Sequence, residues 1–314
     1  MKELIMSIRL LPALLGTLLL SACQGDAPPQ VKTGPAGGVL FDDFSYAGIA
    51  ELAPHGWIMR TARGWPGVEN AAWGEASFSL HDDADVLGNR VLRMTSQTDG
   101  TAAGTRQSQL CHARKYLAGT YAARVRFTDA PVSGPNGDEV VQTFYTISPL
   151  EKDLDPNYSE LDHEYLPNGG WGTHGATHFN TSWETVRLDP WKAYNQFARR
   201  PGSLAGWHVL LIQVADGKIN YYLDREHLAT HDGKVYPRVP MSLNFNLWFT
   251  REGIRPGNAL RVWQQDIDWA WHAQGRILDH DAVLAEVAAL RKAGKAFADT
   301  VPAATPPLAS PCNM

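Results

Sequence analysis

The chain has 314 residues, a formal net charge of −5 from 28 Lys and Arg against 33 Asp and Glu, and only 3 cysteines. That length suits one large domain with a real core. Mild acidity and the lack of any Lys/Arg block exclude a nucleic-acid partner and favour neutral ligands such as sugars.

In chain order, Lys2 and Arg9 come first, then the apolar run Leu10 to Leu20, then Ser21, Ala22 and Cys23. A basic start, a short apolar core and small residues before a cut site read as a secretory signal over residues 1–22. The run is shorter than a membrane-spanning helix needs. Its Leu-Ser-Ala-Cys ending resembles the lipobox of bacterial lipoproteins, which implies lipidation at Cys23 and anchoring to a membrane. Gln24 after the cysteine points to outer-membrane retention, or exposure at the cell surface. An ordinary signal peptide with an incidental cysteine is the plain alternative. Residues 23–38, rich in Pro, Gly and Ala, read as a flexible tether.

Residues 39–274 are dense in short alternating or apolar runs with turn residues between them. Examples are Arg90 to Met94, Tyr121 to Phe127 and Val209 to Val214. Asp216-Gly217 sits between that last run and Lys218 to Leu223, a strong hairpin signal. Such a pattern predicts an all-β sandwich or jelly roll. Residues 275–299 differ: Val283, Leu284, Val287 and Leu290 fall at helical spacing, with Asp279 and Asp281 as N-terminal cap candidates. One amphipathic helix is expected on the outside or edge of the sandwich. Residues 300–314 carry Pro302, Pro306, Pro307 and Pro311 and should be extended or disordered. In an oxidising compartment Cys111 and Cys312 could pair and clip this tail to the body, or remain one buried and one loose thiol.

The densest chemistry lies in Ser159-Glu160-Leu161-Asp162-His163-Glu164-Tyr165. On a strand, side chains alternate between faces, so Glu160, Asp162 and Glu164 share one and Leu161, His163 and Tyr165 the other. Folding gains nothing from three like charges on one strip. Crowded carboxylates with unequal proton affinities are what cleavage of a glycosidic bond needs. A solvated acidic face or a calcium site is the bland alternative.

Glu160-Leu161-Asp162-His163-Glu164 resembles the Glu-x-Asp-x-Glu signature of glycoside hydrolase family 16. Phe41-Asp42-Asp43-Phe44, Lys115 to Arg124, Gly206-Trp207-His208, Tyr221 to Asp224, Pro240-Met241 with Asn246 to Trp248, and Asp266 to Trp269 follow in the family's order, over roughly residues 40 to 272. The resemblance implies a concanavalin A-like β-jelly roll with a curved catalytic sheet and a retaining, endo-acting hydrolase. Glu160 would be the nucleophile, Glu164 the general acid and base, and Asp162 the residue that holds those two in different protonation states. The unbulged spacing resembles the branch acting on mixed-linkage glucan and xyloglucan. It also implies a monomer with a polysaccharide substrate and no required cofactor. Asp42, Asp43 and Asp268 resemble positions near a convex-face calcium site in some relatives, so a structural calcium is allowed, with ordinary edge carboxylates as the default.

For sugar binding, Asn180 and His178 are expected in the cleft by resemblance, on a face with Ser182. Asn244, Asn246 and Trp248 share a face by alternation, and Trp171 sits in the loop after the acidic strand, where an exposed indole could stack on a sugar ring. His163 departs from the family's pattern and is expected to point into the sandwich as a neutral, hydrogen-bonded side chain. Gly170 to Gly175 fits the dinucleotide fingerprint by letter but opens no helix, so it reads as a glycine-rich loop. Ala62 to Gly74, Pro149 to Tyr158 and Asp189 to Leu204 read as irregular loops that wall the cleft. Other functional classes stay open: a surface lipoprotein that binds glycan without hydrolysis, and a transglycosylase using the same site.

Overall fold

A computed structural model describes residues 37–312. The signal segment, Cys23 and nearly all of the tether lie outside the described residues. Two antiparallel sheets face each other. The inner one runs, in spatial order, through Trp57–Met59, Arg106–His112, Ser242–Phe249, Val140–Ile147, Glu160–Leu166, Thr177–Arg187 and Lys192–Pro201. The outer one orders Phe78–Asp82, Arg90–Thr98, Arg261–Gln274, Gly119–Phe127, Gly206–Ala215, Lys218–Leu223 and Glu226–Asp232. Val39–Asp42 joins that sheet along the second half of Arg261–Gln274. This is the all-β sandwich expected from the strand pattern, with the curved jelly-roll form that the family resemblance implies.

Alternation along the strands explains the layering. Leu210, Ile212 and Val214 enter the core between the sheets, as do Leu161 and Tyr165 from the inner side. Their neighbours Val209 and Leu211 point outward and, with Phe41, Trp269 and Trp271, meet Val283 and Val287 of the helix His280–Lys292. Asp279 caps that helix by accepting from the Ala282 amide at 2.9 Å, which satisfies one otherwise orphaned N–H. Burial of each valine contributes on the order of 1.5–3 kcal/mol. The helix thus covers the convex side and leaves the concave side free.

The tail is tied down. After the helix, Phe297–Asp299 pairs with Leu40–Asp42 as a further strand, so the helical segment stops well short of residue 299. Val301 is buried. Cys111 and Cys312 form a disulfide with a Cα–Cα distance of 5.5 Å across a sequence separation of 201. The segment expected to be loose therefore packs against the inner sheet at one end of its concave face. Asp189 to Leu204 also differs from its reading as a loop. Lys192–Pro201 forms the outermost inner-sheet strand, recognisable only poorly because neither of its faces carries a buried residue.

Candidate active site

Glu160–Leu166 is flanked on both sides by unbroken ladders. Glu164 pairs with Thr143 and Phe179, Asp162 with Tyr145 and Thr181, and Glu160 with Ile147 and Trp183. Opposed residues in an antiparallel pair project to the same side. With no bulge between Glu160 and Glu164, the three acids project together into a cleft of about 720 Å³ whose lining they share with Thr143, Tyr145, Asn246 and Trp248. His163 points the other way. Its Nε2 lies 3.2 Å from the Leu211 carbonyl oxygen and its Nδ1 3.2 Å from His178 Nε2, and burial lowers its pKa to about 3.

The acids are held by unlike partners. The Tyr158 hydroxyl donates to Glu160, and the Trp183 indole N–H donates to Asp162 at 2.9 Å. Burial raises Glu160 to about 7, while the bonds from Tyr158 and Asp162 pull it back. Glu164 has no such relief: burial first, and repulsion from Glu160 second, raise it to about 8. Asp162 rises well above its usual range through burial and then repulsion by both glutamates. Desolvation and like-charge crowding are thus the dominant causes. The hydrogen bonds that pull Glu160 down have no counterpart at Glu164, which favours Glu160 as the carboxylate and Glu164 as the carboxylic acid of the cleft.

Around them the lining is aromatic and polar. Asn246 donates to the Tyr145 hydroxyl at 3.2 Å, Gln109 donates to the same oxygen at 2.8 Å, and Arg60 backs Gln109 at 2.8 Å. The Asn246 side-chain oxygen Oδ1 is buried without a protein donor, an acceptor suited to a sugar hydroxyl. Trp171, half exposed, stands 5.4 Å from Phe179 and 6.3 Å from Trp248 between ring centroids. These three form an apolar platform on the Glu164 side.

Three expected site residues lie elsewhere. His178 and Asn180 are turned to the core: Asn180 pairs with His163, not with an acid, and its amide lies 2.9 Å from His163 Nδ1. The register sets them, with Ser182, on the side opposite the carboxylates. Asn244 projects to the concave side, but its amide bonds Ser242 at 2.9 Å, in a small recess with Cys111, Ser310 and Cys312. In their place the cleft takes Phe179, Thr181 and Trp183 from the same strand. Tyr158 was also missed, although it stands two residues before Glu160 and so in phase with the acids.

The calcium positions do not fit a metal site. Asp42 is buried and accepts from the Trp57 indole at 2.7 Å and from Tyr46. Asp268 is bonded by Arg124 at 2.8 Å, Arg291 at 2.7 Å and Asn89 at 2.7 Å. Arg291 also approaches Asp43 at 3.4 Å. A guanidinium from the C-terminal helix already supplies the positive charge these carboxylates need.

A curved sandwich whose concave sheet gathers unequal carboxylic acids among stacking aromatics defines a glycoside hydrolase. Residues 70–271 match the sequence profile of glycosyl hydrolases family 16, and the chain belongs to that family. Solved structures agree on the fold. The β-glucanase of Bacillus licheniformis is 15% identical, with a TM-score of 0.54 over 76% of this chain and 99% of its own. A Bacteroides ovatus GH16 protein of a mixed-linkage glucan locus, in complex with a G4G4G3G product, is 16% identical, with a TM-score of 0.55 over 73% and 98%. LamAcat from Zobellia galactanivorans is 14% identical, with a TM-score of 0.56 over 77% and 98%. Among curated proteins none matches the sequence.

Proposed function

We propose that this glycoside hydrolase cleaves internal bonds of a β-linked glucan with retention of configuration. The observation that carries the reading is the placement of Glu160 and Glu164 on one side of one unbulged strand, with Tyr158 bonded to the first and nothing lowering the second. Ionised Glu160 attacks the anomeric carbon while Glu164 gives its proton to the departing glycosidic oxygen, forming a glycosyl-enzyme. Glu164, now a carboxylate, takes a proton from water. That water attacks the same carbon and releases Glu160. Asp162 is a positioning residue, sharing a proton with Glu160 and held by Trp183.

Internal cleavage is supported by the lining, which draws on Trp65 to Gly67 beside one edge strand and on Asn195, Phe197 and Arg199 of the other. A chain can thus lie across the strands with sugars on both sides of the acids. The glucan assignment is supported by the relatives named above and by the aromatic platforms, which suit the flat faces of β-linked glucose. Export and anchoring through Cys23 belong to the same proposal. The test is hydrolysis of a panel of β-glucans, xyloglucan and galactans, with products sized by chromatography and anomers followed by NMR. Glu160→Ala should lose about a thousandfold or more in kcat. Wild-type-like activity in that variant, or an inverted first product, would end the assignment.

A further inference from the structure

Trp65 and Trp191 are each more than half exposed, at 55% and 54%, yet their rings meet at 5.9 Å between centroids. They come from opposite sides of the inner sheet. Trp65 lies in the loop that follows Trp57–Met59, one edge strand, and Trp191 in the turn that enters Lys192–Pro201, the other. The strands Arg106–His112, Ser242–Phe249, Val140–Ile147, Glu160–Leu166 and Thr177–Arg187 separate those two edge strands. In a flat sheet, elements that many strands apart would be separated by about 20 Å or more. Curvature and two leaning loops bring the indoles together over the cleft, and both side chains line it.

Each loop is anchored at its base. Gln107 accepts from the Val68 amide at 3.3 Å. A Cβ on Gly67, whose φ is +94°, would stand 2.2 Å from that same side chain, so the loop crosses Gln107 at a distance only glycine permits. On the other side the Leu154 amide donates to the Val186 carbonyl at 2.9 Å and Arg187 to the Pro190 carbonyl at 3.3 Å. The turn with Trp191 follows Arg187, beyond Trp183, the register partner of Glu160. The Trp65 loop, by contrast, leaves the sheet at Gln109, in the register row of Glu164, so the indoles reach each other from opposite ends of the acidic strand.

We propose that Trp65 and Trp191 form an aromatic bridge over the cleft that admits a bare glucan chain and excludes one bearing sugar branches at the unit beneath it. The proposal rests on the glycosidase reading above and adds its specificity. An unbranched chain is a narrow ribbon and passes under the indoles. A branch directed upward meets both rings at once.

The test compares the full chain with the W65A/W191A variant on two matched pairs: linear mixed-linkage β-glucan against xyloglucan, and linear against β-1,6-branched β-1,3-glucan. Wild type should favour the linear member in kcat/KM, and the double variant should reduce that preference about tenfold or more, with gain on the branched member. A preference unchanged within about twofold overturns the bridge as a filter. Far-UV circular dichroism supplies a second readout that needs no substrate: coupled indoles give a split band, expected in wild type and lost in either single variant. Its absence from wild type also overturns the proposal. If wild type hydrolyses none of the four glucans, the glucan reading fails by itself and the dichroism still decides whether the bridge exists.

Discussion

Trp183 and Asp162 are joined by an indole N–H to carboxylate bond of 2.9 Å, made between adjacent strands on the floor of the cleft. That bond opposes the rise in proton affinity that burial and the flanking glutamates impose on Asp162. Trp183→Phe keeps the ring and removes the donor. We expect kcat to fall about tenfold, equivalent to about 1.4 kcal/mol and within the range for an ordinary intramolecular hydrogen bond, with an unchanged thermal melt. Undiminished turnover would show that Asp162 needs no such anchor.

The proposed mechanism requires Glu160 ionised and Glu164 protonated. The pH profile of kcat/KM should therefore be bell-shaped, with limbs near the values of about 7 and about 8 that the pair takes; those limbs belong to the pair jointly. Tyr158→Phe removes a donor that lowers Glu160, so the acid limb should move to higher pH. A limb that stays put, or moves to lower pH, would contradict the assignment of Glu160 as the group that must ionise.

The same desolvation weakens the fold. Glu164 titrates from its ordinary 4.5 up to about 8 in the native protein, whereas in the unfolded chain it ionises near the ordinary value. Its native form therefore holds a proton that the unfolded form has lost, and stability declines as pH rises from about 4.5 to about 8. Glu164→Gln should melt higher than wild type at pH 8, by about 2 °C or more, and gain nothing at pH 4. A uniform shift at both pH values would trace the effect to packing.

His163 works in the opposite direction. Its native pKa of about 3 lies below the ordinary 6.5, so the unfolded chain binds a proton that the native state refuses. Its contribution is present above about 6.5 and is lost as pH falls toward 3. In urea unfolding at pH 5, 6, 7 and 8, His163→Gln should flatten the acid slope by up to about 1.4 kcal/mol per pH unit. It should cost stability at pH 8, because the His178 and Asn180 side chains lose their partner. An unaltered acid slope would assign the lability to the other buried histidines.

Arg291 bridges Asp43 and Asp268. Arg291→Met leaves two carboxylates without that charge and should lower stability by about 1–3 kcal/mol, or several degrees of melting temperature. A chelator should not move the wild-type melt. A wild-type melting temperature that rises with added calcium would show a metal site where the guanidinium stands.

The acidic strand was legible because its period of two is a local property. Which residues share a face with Glu160 follows from counting along one strand, and the inward turn of His163 follows equally. His178 and Asn180 were misplaced for a different reason. Alternation divides Thr177–Arg187 into two sets, but the choice of set for the cleft depends on Asn180 meeting His163, a pairing between segments. Phe179, Thr181 and Trp183 formed the competing set, and its two aromatics were a usable signal. Lys192–Pro201 was hidden because an edge strand exposed on both faces carries no apolar alternation. The contact between Trp65 and Trp191 depends on sheet curvature, which no local pattern encodes.

The bond between Cys111 and Cys312 has a practical corollary. Protein made in a reducing cytosol would lack the covalent clasp that ties Cys312 to the inner sheet beside Asn244. Samples from reducing and oxidising hosts would then be different reagents. Assays of chain-length preference should begin by counting free thiols.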